Sequence, residues 1–178
     1  AGGSGAAQLG KGTSEQKKLL AKAKAKFLKD NLEAAEPLFR EVIDQGKMTG
    51  TKASAYIALG QIYIESGEPK KAVELLESIP DEGKKIVEVR LILARAHAAV
   101  QDLDAAIAEY QKVIELQPHY IFAYPAIGAL YNEKGEKKKA AEMYLRYENK
   151  MTEMARTLEN ADKTDPVDRL NVLDIFSA

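Results

Sequence analysis

The chain has 178 residues, 46% hydrophobic and 30% charged, with a net charge of -1, the balance of an ordinary soluble protein long enough for one sizeable core or a short stack of repeats. It holds no cysteine, which excludes disulfides, thiolate catalysis and cysteine-based zinc sites and leaves the redox compartment open. No apolar run approaches the roughly 20 residues that cross a bilayer. The charge is +4 over residues 1–52, -2 over 53–150 and -3 over 151–178, so no basic face runs the length of the chain as nucleic-acid binding requires.

Residues 1–13, which open Ala1-Gly-Gly-Ser-Gly, read as a flexible linker. From about Gln16 to Asp44, Leu19, Ala23, Phe27, Leu32, Ala35, Phe39 and Val42 recur at helical spacing and predict a first hairpin of two helices. It leads through Gly46–Lys52 to the next one. Lys22 and Lys26 occupy slots that are apolar in the later units, as suits an end unit whose outer face meets water.

Three stretches of 34 residues follow without an inserted residue, 53–86, 87–120 and 121–154. Tyr56, Leu59, Gly60, Tyr63, Gly67 and Ala72 in the first return as Tyr124, Ile127, Gly128, Tyr131, Gly135 and Ala140 in the third. The middle copy holds Leu93, Ala94, His97, Gln101, Ala106 and Tyr110, and closes on Pro118. A fixed period of this length is the mark of a repeat architecture, in which each unit buries its apolar face on the next. Within a unit, two amphipathic segments flank a break such as Ser66-Gly67-Glu68-Pro69, where glycine closes one helix and proline opens the next. Gly60, Ala94 and Gly128 supply the small side chain that lets two helices cross closely, with Ala72, Ala106 and Ala140 as counterparts. Tyr63, Tyr110, Tyr131 and Tyr144 are placed to fill the space between hairpins.

From the second half of the third copy onward, Tyr147, Met151, Met154 and Leu158 continue the spacing of Met143, so the last helix is predicted to reach about Asn160. Residues 162–178 then predict a short amphipathic helix, with Asp165 as cap, Pro166 in its first turn and Val167, Leu170, Leu173 and Phe176 as its apolar stripe. The whole is organised as a linker at 1–13, a repeat domain at 14–161 with units of about 16–49, 53–86, 87–120 and 121–154, and that C-terminal helix.

At these positions the chain resembles the tetratricopeptide repeat family, weakly from residue 16 and strongly over 53–154. It departs from the family pattern at Arg90, where an aromatic is usual, at His97, which replaces tyrosine, and at the end of the first clear unit, which lacks proline. The resemblance implies an all-α fold, a right-handed α-solenoid of about four helix-turn-helix units plus a C-terminal capping helix. It also implies a concave wall, made mostly by the first helix of each unit, that binds peptides or helices of other proteins.

The slots that would line this groove are Leu20, Lys24 and Phe27; Ile57, Gln61 and Ile64; Leu91, Ile92 and Arg95; and Phe122, Pro125, Ala129 and Asn132. The wall is mainly aliphatic with a thin polar line, which suits an amphipathic helix or an extended apolar peptide carrying a few acidic groups. The competing reading is that several of these side chains only pack between helices. One subset of the family grips a C-terminal carboxylate with lysine, arginine and asparagine. Here those slots hold Leu20, Lys24, Ala58, Glu88 and Ile92 in one register and Ile57, Gln61, Ile92, Phe122 and Ala126 in the other, so a carboxylate would be left without its cations at a cost of several kcal/mol.

Two basic clusters, Lys17, Lys18, Lys22 and Lys26 and then Lys134, Lys137, Lys138 and Lys139, read as solvated faces. His97 reads as an interhelical side chain with its polar atoms satisfied, and His119 as a loop residue between units. Neither stands in a metal-ligand spacing, and no glycine-rich phosphate loop follows a strand. No catalysis and no cofactor are therefore expected, and the partner is another protein, with no nucleic acid and no membrane insertion. An alternative is self-association into a homo-oligomer through the groove or the 165–178 helix, because so short a helix is marginal by itself.

Overall fold

A computed structural model of the chain describes residues 9–29 and 31–161. Among these residues it is helical, with eight α-helices and one short 3-10 turn. It divides into two compact units, Ala1–Ala106 and Ile107–Ala178.

The first unit begins with α1, Ser14–Phe27. The Gln16 N–H donates to Thr13 Oγ1 at 3.1 Å while Gln16 Oε1 accepts from the Thr13 N–H at 3.0 Å, a reciprocal cap that satisfies two donors at once. Helix α1 thus starts two residues before the position the apolar spacing indicates. Part of the stretch read as linker is held as well: the Gly50 N–H donates to Gly10 O at 3.1 Å, and Gly12 is so close to Thr51 that a Cβ would collide with its hydroxyl. Helix α2, Leu32–Asp44, is capped by Asn31, whose side-chain Oδ1 accepts from the Ala34 N–H at 3.0 Å. It packs along α1 as the first hairpin.

Helix α3 runs Gly50–Glu65, so the connection is Gln45–Thr49 and not the longer 46–52. Thr49 caps it, and Lys52 turns inward, 7% exposed, with its ammonium donating to Gly46 O at 2.8 Å. The hairpin then closes as its sequence directs, with Gly67 at φ +79 and Pro69 at the first position of α4, Pro69–Glu77. A 3-10 turn at Gly83–Lys85, which the spacing does not announce, leads into α5, Val87–Ala99. Arg90 departs from the aromatic pattern for a local reason: its Nε donates to Lys84 O at 2.6 Å and ties helix to turn.

Helix α3 packs against α2, α4 and α5, and the core gathers around it: Phe39, Val42, Leu59, Tyr63, Leu76, Ile79 and Val89 are all enclosed. The close crossing at Gly60 is with Leu76, one turn beyond the Ala72 counterpart, and a Cβ on Gly60 would lie 3.0 Å from Leu76 Cδ1. Helix α6, Leu103–Leu116, starts at this unit's edge after Gln101, which takes φ +63 in the slot glycine fills in the other copies.

The second unit contains the rest of α6, with Ile107 and Val113 buried, then α7, Ala123–Glu133, and α8, Lys137–Ala161. Helices α7 and α8 pair as a hairpin about Gly135, φ +77, and Gly128 admits Tyr144, to whose Cε1 a Cβ would stand 3.0 Å. Of the four tyrosines read as interlayer fillers, Tyr63 is enclosed and Tyr110, Tyr131 and Tyr144 remain half-exposed. The amphipathic segment at 165–178 lies outside the described residues.

Candidate functional site

Where α1 ends over α2 and α3, the first unit leaves a cleft of about 270 Å³ lined by Lys24, Phe27, Leu28, Phe39, Ala58, Gln61, Ile62 and Glu65. Phe39 and Ile62 are buried and form its floor. Ala58 projects only a methyl group, which is part of why the space stays open. At the lip, Phe27 is 36% and Leu28 82% exposed, a surplus of apolar surface at the end of a short helix. Opposite, Gln61 Nε2 donates to Glu65 Oε1 at 2.8 Å. The arrangement offers an apolar floor for an aliphatic or aromatic side chain, and a rim carrying one cation, one amide and one carboxylate.

Three of the sequence-derived groove residues, Lys24, Phe27 and Gln61, share this cleft. Leu20, Ile57 and Ile64 are half-buried and lean on the core. Leu91 is half-buried and Arg95 exposed, one turn apart on one face of α5. Ile92 is a correction: at 3% exposure it belongs to the core, because a step of one residue on a helix rotates the side chain by about 100° onto the face of Val89 and Ala96. In the second unit Phe122 is 62% exposed, Ala129 and Asn132 are exposed and Pro125 is half-buried in the first turn of α7. The Asn132 amide donates to the Tyr144 hydroxyl at 3.4 Å.

Leu28 and Glu65 line the cleft without having been singled out in the sequence, and Ala58 entered there only as a slot that lacks the carboxylate-gripping residue. Glu65 carries a usable signal, four residues after Gln61 and so on the same helix face. Leu28 carries none, since its exposure comes from α1 stopping at Phe27.

A polar cluster joins the first two hairpins. The Tyr63 hydroxyl donates to the Glu36 carboxylate and accepts from Arg40 Nη2 at 2.7 Å, while Arg40 Nε donates to Glu36 Oε1 at 3.0 Å. Lys71 stands 5.7 Å from the tyrosine ring centre. Burial, then the bond to Glu36, pushes the Tyr63 phenol up to about 12. The Tyr63 hydroxyl, with Arg40 behind it, holds the Glu36 carboxyl below its ordinary value.

His97 differs from its sequence reading. It is 7% exposed, its Nε2 lies 3.4 Å from Glu77 Oε1, and its buried Nδ1 has no hydrogen-bond partner, with Asp102 Oδ2 at 3.9 Å. Of the second lysine cluster, Lys134 and Lys139 pair with Glu136, and Lys137 and Lys138 are exposed. Among the described residues no group of three or more histidine, aspartate and glutamate side chains is placed to hold a metal ion, and no helix is long and apolar enough to cross a membrane.

No curated protein matches the chain. Among solved structures it is similar to a crystal structure of MamA protein, at 21% identity over 91% of this chain and 88% of that one with a TM-score of 0.65. It is similar also to MamA 41-end from Desulfovibrio magneticus RS-1, at 18% identity over 78% and 76% with the same score. A third, a crystal structure of MamA, is 23% identical over 87% and 90%, with a TM-score of 0.63. At these identities the likeness is one of fold, an all-α helical solenoid. Two family profiles described as Tetratricopeptide repeat match residues 26–96 and 87–120, together more than half of the chain. With the hairpins, their glycine-closed turns and the 34-residue period in place, the chain belongs to the tetratricopeptide repeat family.

Proposed function

We propose that the protein is an interaction scaffold that holds a peptide or amphipathic helix of a partner protein, and that the cleft at the end of α1 receives that segment's apolar anchor. Membership of a repeat family used for protein contacts supports the scaffold role. The cleft itself carries the finer reading, because its exposed Phe27 and Leu28 stand over a buried apolar floor, the setting in which a few anchors dominate binding. Leu91 and Arg95 in the same unit supply a further anchor and one cation.

The test is affinity capture with the intact chain beside Phe27→Ala and Arg95→Glu, followed by titration of the captured partner against Leu91→Ala and Leu28→Ala. Each truncation of a true anchor weakens binding by about 2 kcal/mol, with circular dichroism unchanged. A partner retained at full affinity by all four variants refutes the groove.

A further inference from the structure

The two rims of the cleft are opposite in charge and in hydrogen-bonding character. On one side α1 ends with Lys24 and Lys26 in its last turn, a placement that suits the partial negative charge of a helix C-terminus. Lys24 lines the cleft, is exposed, and among the described residues pairs with no carboxylate. Its ammonium can only donate. On the other side α3 ends at Glu65, with no basic residue in its last turn. A carboxylate there adds negative charge where the helix end already concentrates it, against what stability favours. The bond from Gln61 does not relieve this. Gln61 Nε2 donates to Glu65 Oε1 at 2.8 Å, which uses the amide hydrogen and leaves Gln61 Oε1 and Glu65 Oε2 to accept. The α1 rim is therefore a cationic donor and the α3 rim an anionic acceptor, with the apolar floor of Phe39 and Ile62 between them.

We propose that the partner segment held in the cleft is bipolar: an apolar anchor on the floor, a carboxylate on its α1 side meeting Lys24, and a lysine or arginine on its α3 side meeting Glu65 and Gln61. The inference rests on the cleft being the anchor site, and it adds the charge pattern that chooses among apolar segments. A doubly acidic segment satisfies Lys24 but sets a carboxylate against Glu65, and a doubly basic one does the reverse. Selection of this kind works as much by the clash in the wrong ligand as by the pair in the right one. The bipolar segment alone matches both rims, and its cation supplies what the end of α3 lacks. Each rim pair is solvent-screened and weak by itself. The floor holds the ligand and the rims sort it.

Four synthetic peptides titrated into the intact chain at low salt, read by fluorescence anisotropy, test this. All share a central phenylalanine on a neutral helical background. One turn before and one turn after it they carry glutamate and lysine, two glutamates, two lysines, or two glutamines. The glutamate–lysine peptide is expected to bind about fivefold more tightly than either like-charged peptide, with the gap closing at high salt. Lys24→Glu is expected to make the two-lysine peptide the tightest, and Glu65→Lys the two-glutamate peptide. Equal affinities for all four, or a like-charged peptide leading on the native chain, overturn the inference, and the anchor site still stands if Phe27→Ala weakens every peptide alike. Peptides that bind Phe27→Ala as tightly as the native chain, or a failure of all four to bind, refute the anchor site and the inference together.

Discussion

Two glycines at equivalent slots face the same crowding and should answer a methyl group in opposite ways. A Cβ on Gly60 would lie 3.0, 3.1 and 3.2 Å from three carbons of Leu76, a side chain with no exposed surface. Carbon atoms rest about 3.5 to 4.0 Å apart, so Leu76 has to shift by several tenths of an ångström into a filled core. Overpacking of that kind costs about 1 to 3 kcal/mol, against a gain of about 1 kcal/mol from replacing glycine by alanine inside a helix. Gly60→Ala is therefore expected to lose about 1 kcal/mol. A Cβ on Gly128 meets Tyr144 at the same 3.0 Å, but that ring is half-exposed and swings toward water, giving up a long hydrogen bond with Asn132. Gly128→Ala is expected to gain about 0.5 kcal/mol. Native-state amide exchange reads each unit separately, α3 and α4 for the first variant, α7 and α8 for the second. Both variants moving in the same direction, or a more stable Gly60→Ala, would refute the claim that freedom of the opposing side chain decides the sign.

Gln101→Gly should raise stability by up to about 1 kcal/mol, seen as a higher Tm, because Gln101 holds a left-handed backbone, φ +63, that costs a side-chain-bearing residue about that much. Tyr63→Phe should cost about 1 to 2 kcal/mol in urea unfolding, since it removes two hydrogen bonds and leaves Glu36 and Arg40 short of a partner. In the native protein the same phenol titrates at about 12 against an ordinary 10, so its share of stability is full below pH 10, is lost between about 10 and 12, and is absent from the phenylalanine variant. At the other extreme Glu36, held low, contributes above the ordinary carboxyl range and loses its contribution as the pH falls through its folded value. Lys52→Met keeps the buried stem but strands the Gly46 carbonyl that the ammonium satisfies, with an expected loss of about 1 to 2 kcal/mol by thermal unfolding.

The period and the hairpins were legible because they rest on side chains with one steric job each. Gly67 and Pro69 stop and start helices wherever they stand, and Gly60 leaves room for whatever crosses it. The helix starts at Ser14 and Gly50 were not, because apolar spacing locates a helix by its buried face, and here the caps Thr13 and Thr49 begin helices two or three residues before the positions that spacing indicates. The groove list was read from helical slots, which bring Lys24, Phe27 and Gln61 to one cleft. It cannot resolve a rotation of one residue, which is how Ile92 fell into the core. Leu28, on the lip, depends on where α1 stops, a matter of how the next turn packs and not of any pattern in α1.

The three-way bond of Tyr63, Glu36 and Arg40 bears on which hairpins can be neighbours. Apolar faces stacked side by side tolerate exchange, since one aliphatic surface resembles another, and repeat proteins are exposed to swapping of units between chains and to slippage by one unit. A phenol at this boundary needs a carboxylate and a guanidinium one turn apart on the incoming helix, and a substitute hairpin without them would bury unpaired polar atoms. The position after the first hairpin is thereby keyed to one sequence in the chain, and the order of the stack is protected by the penalty for any other.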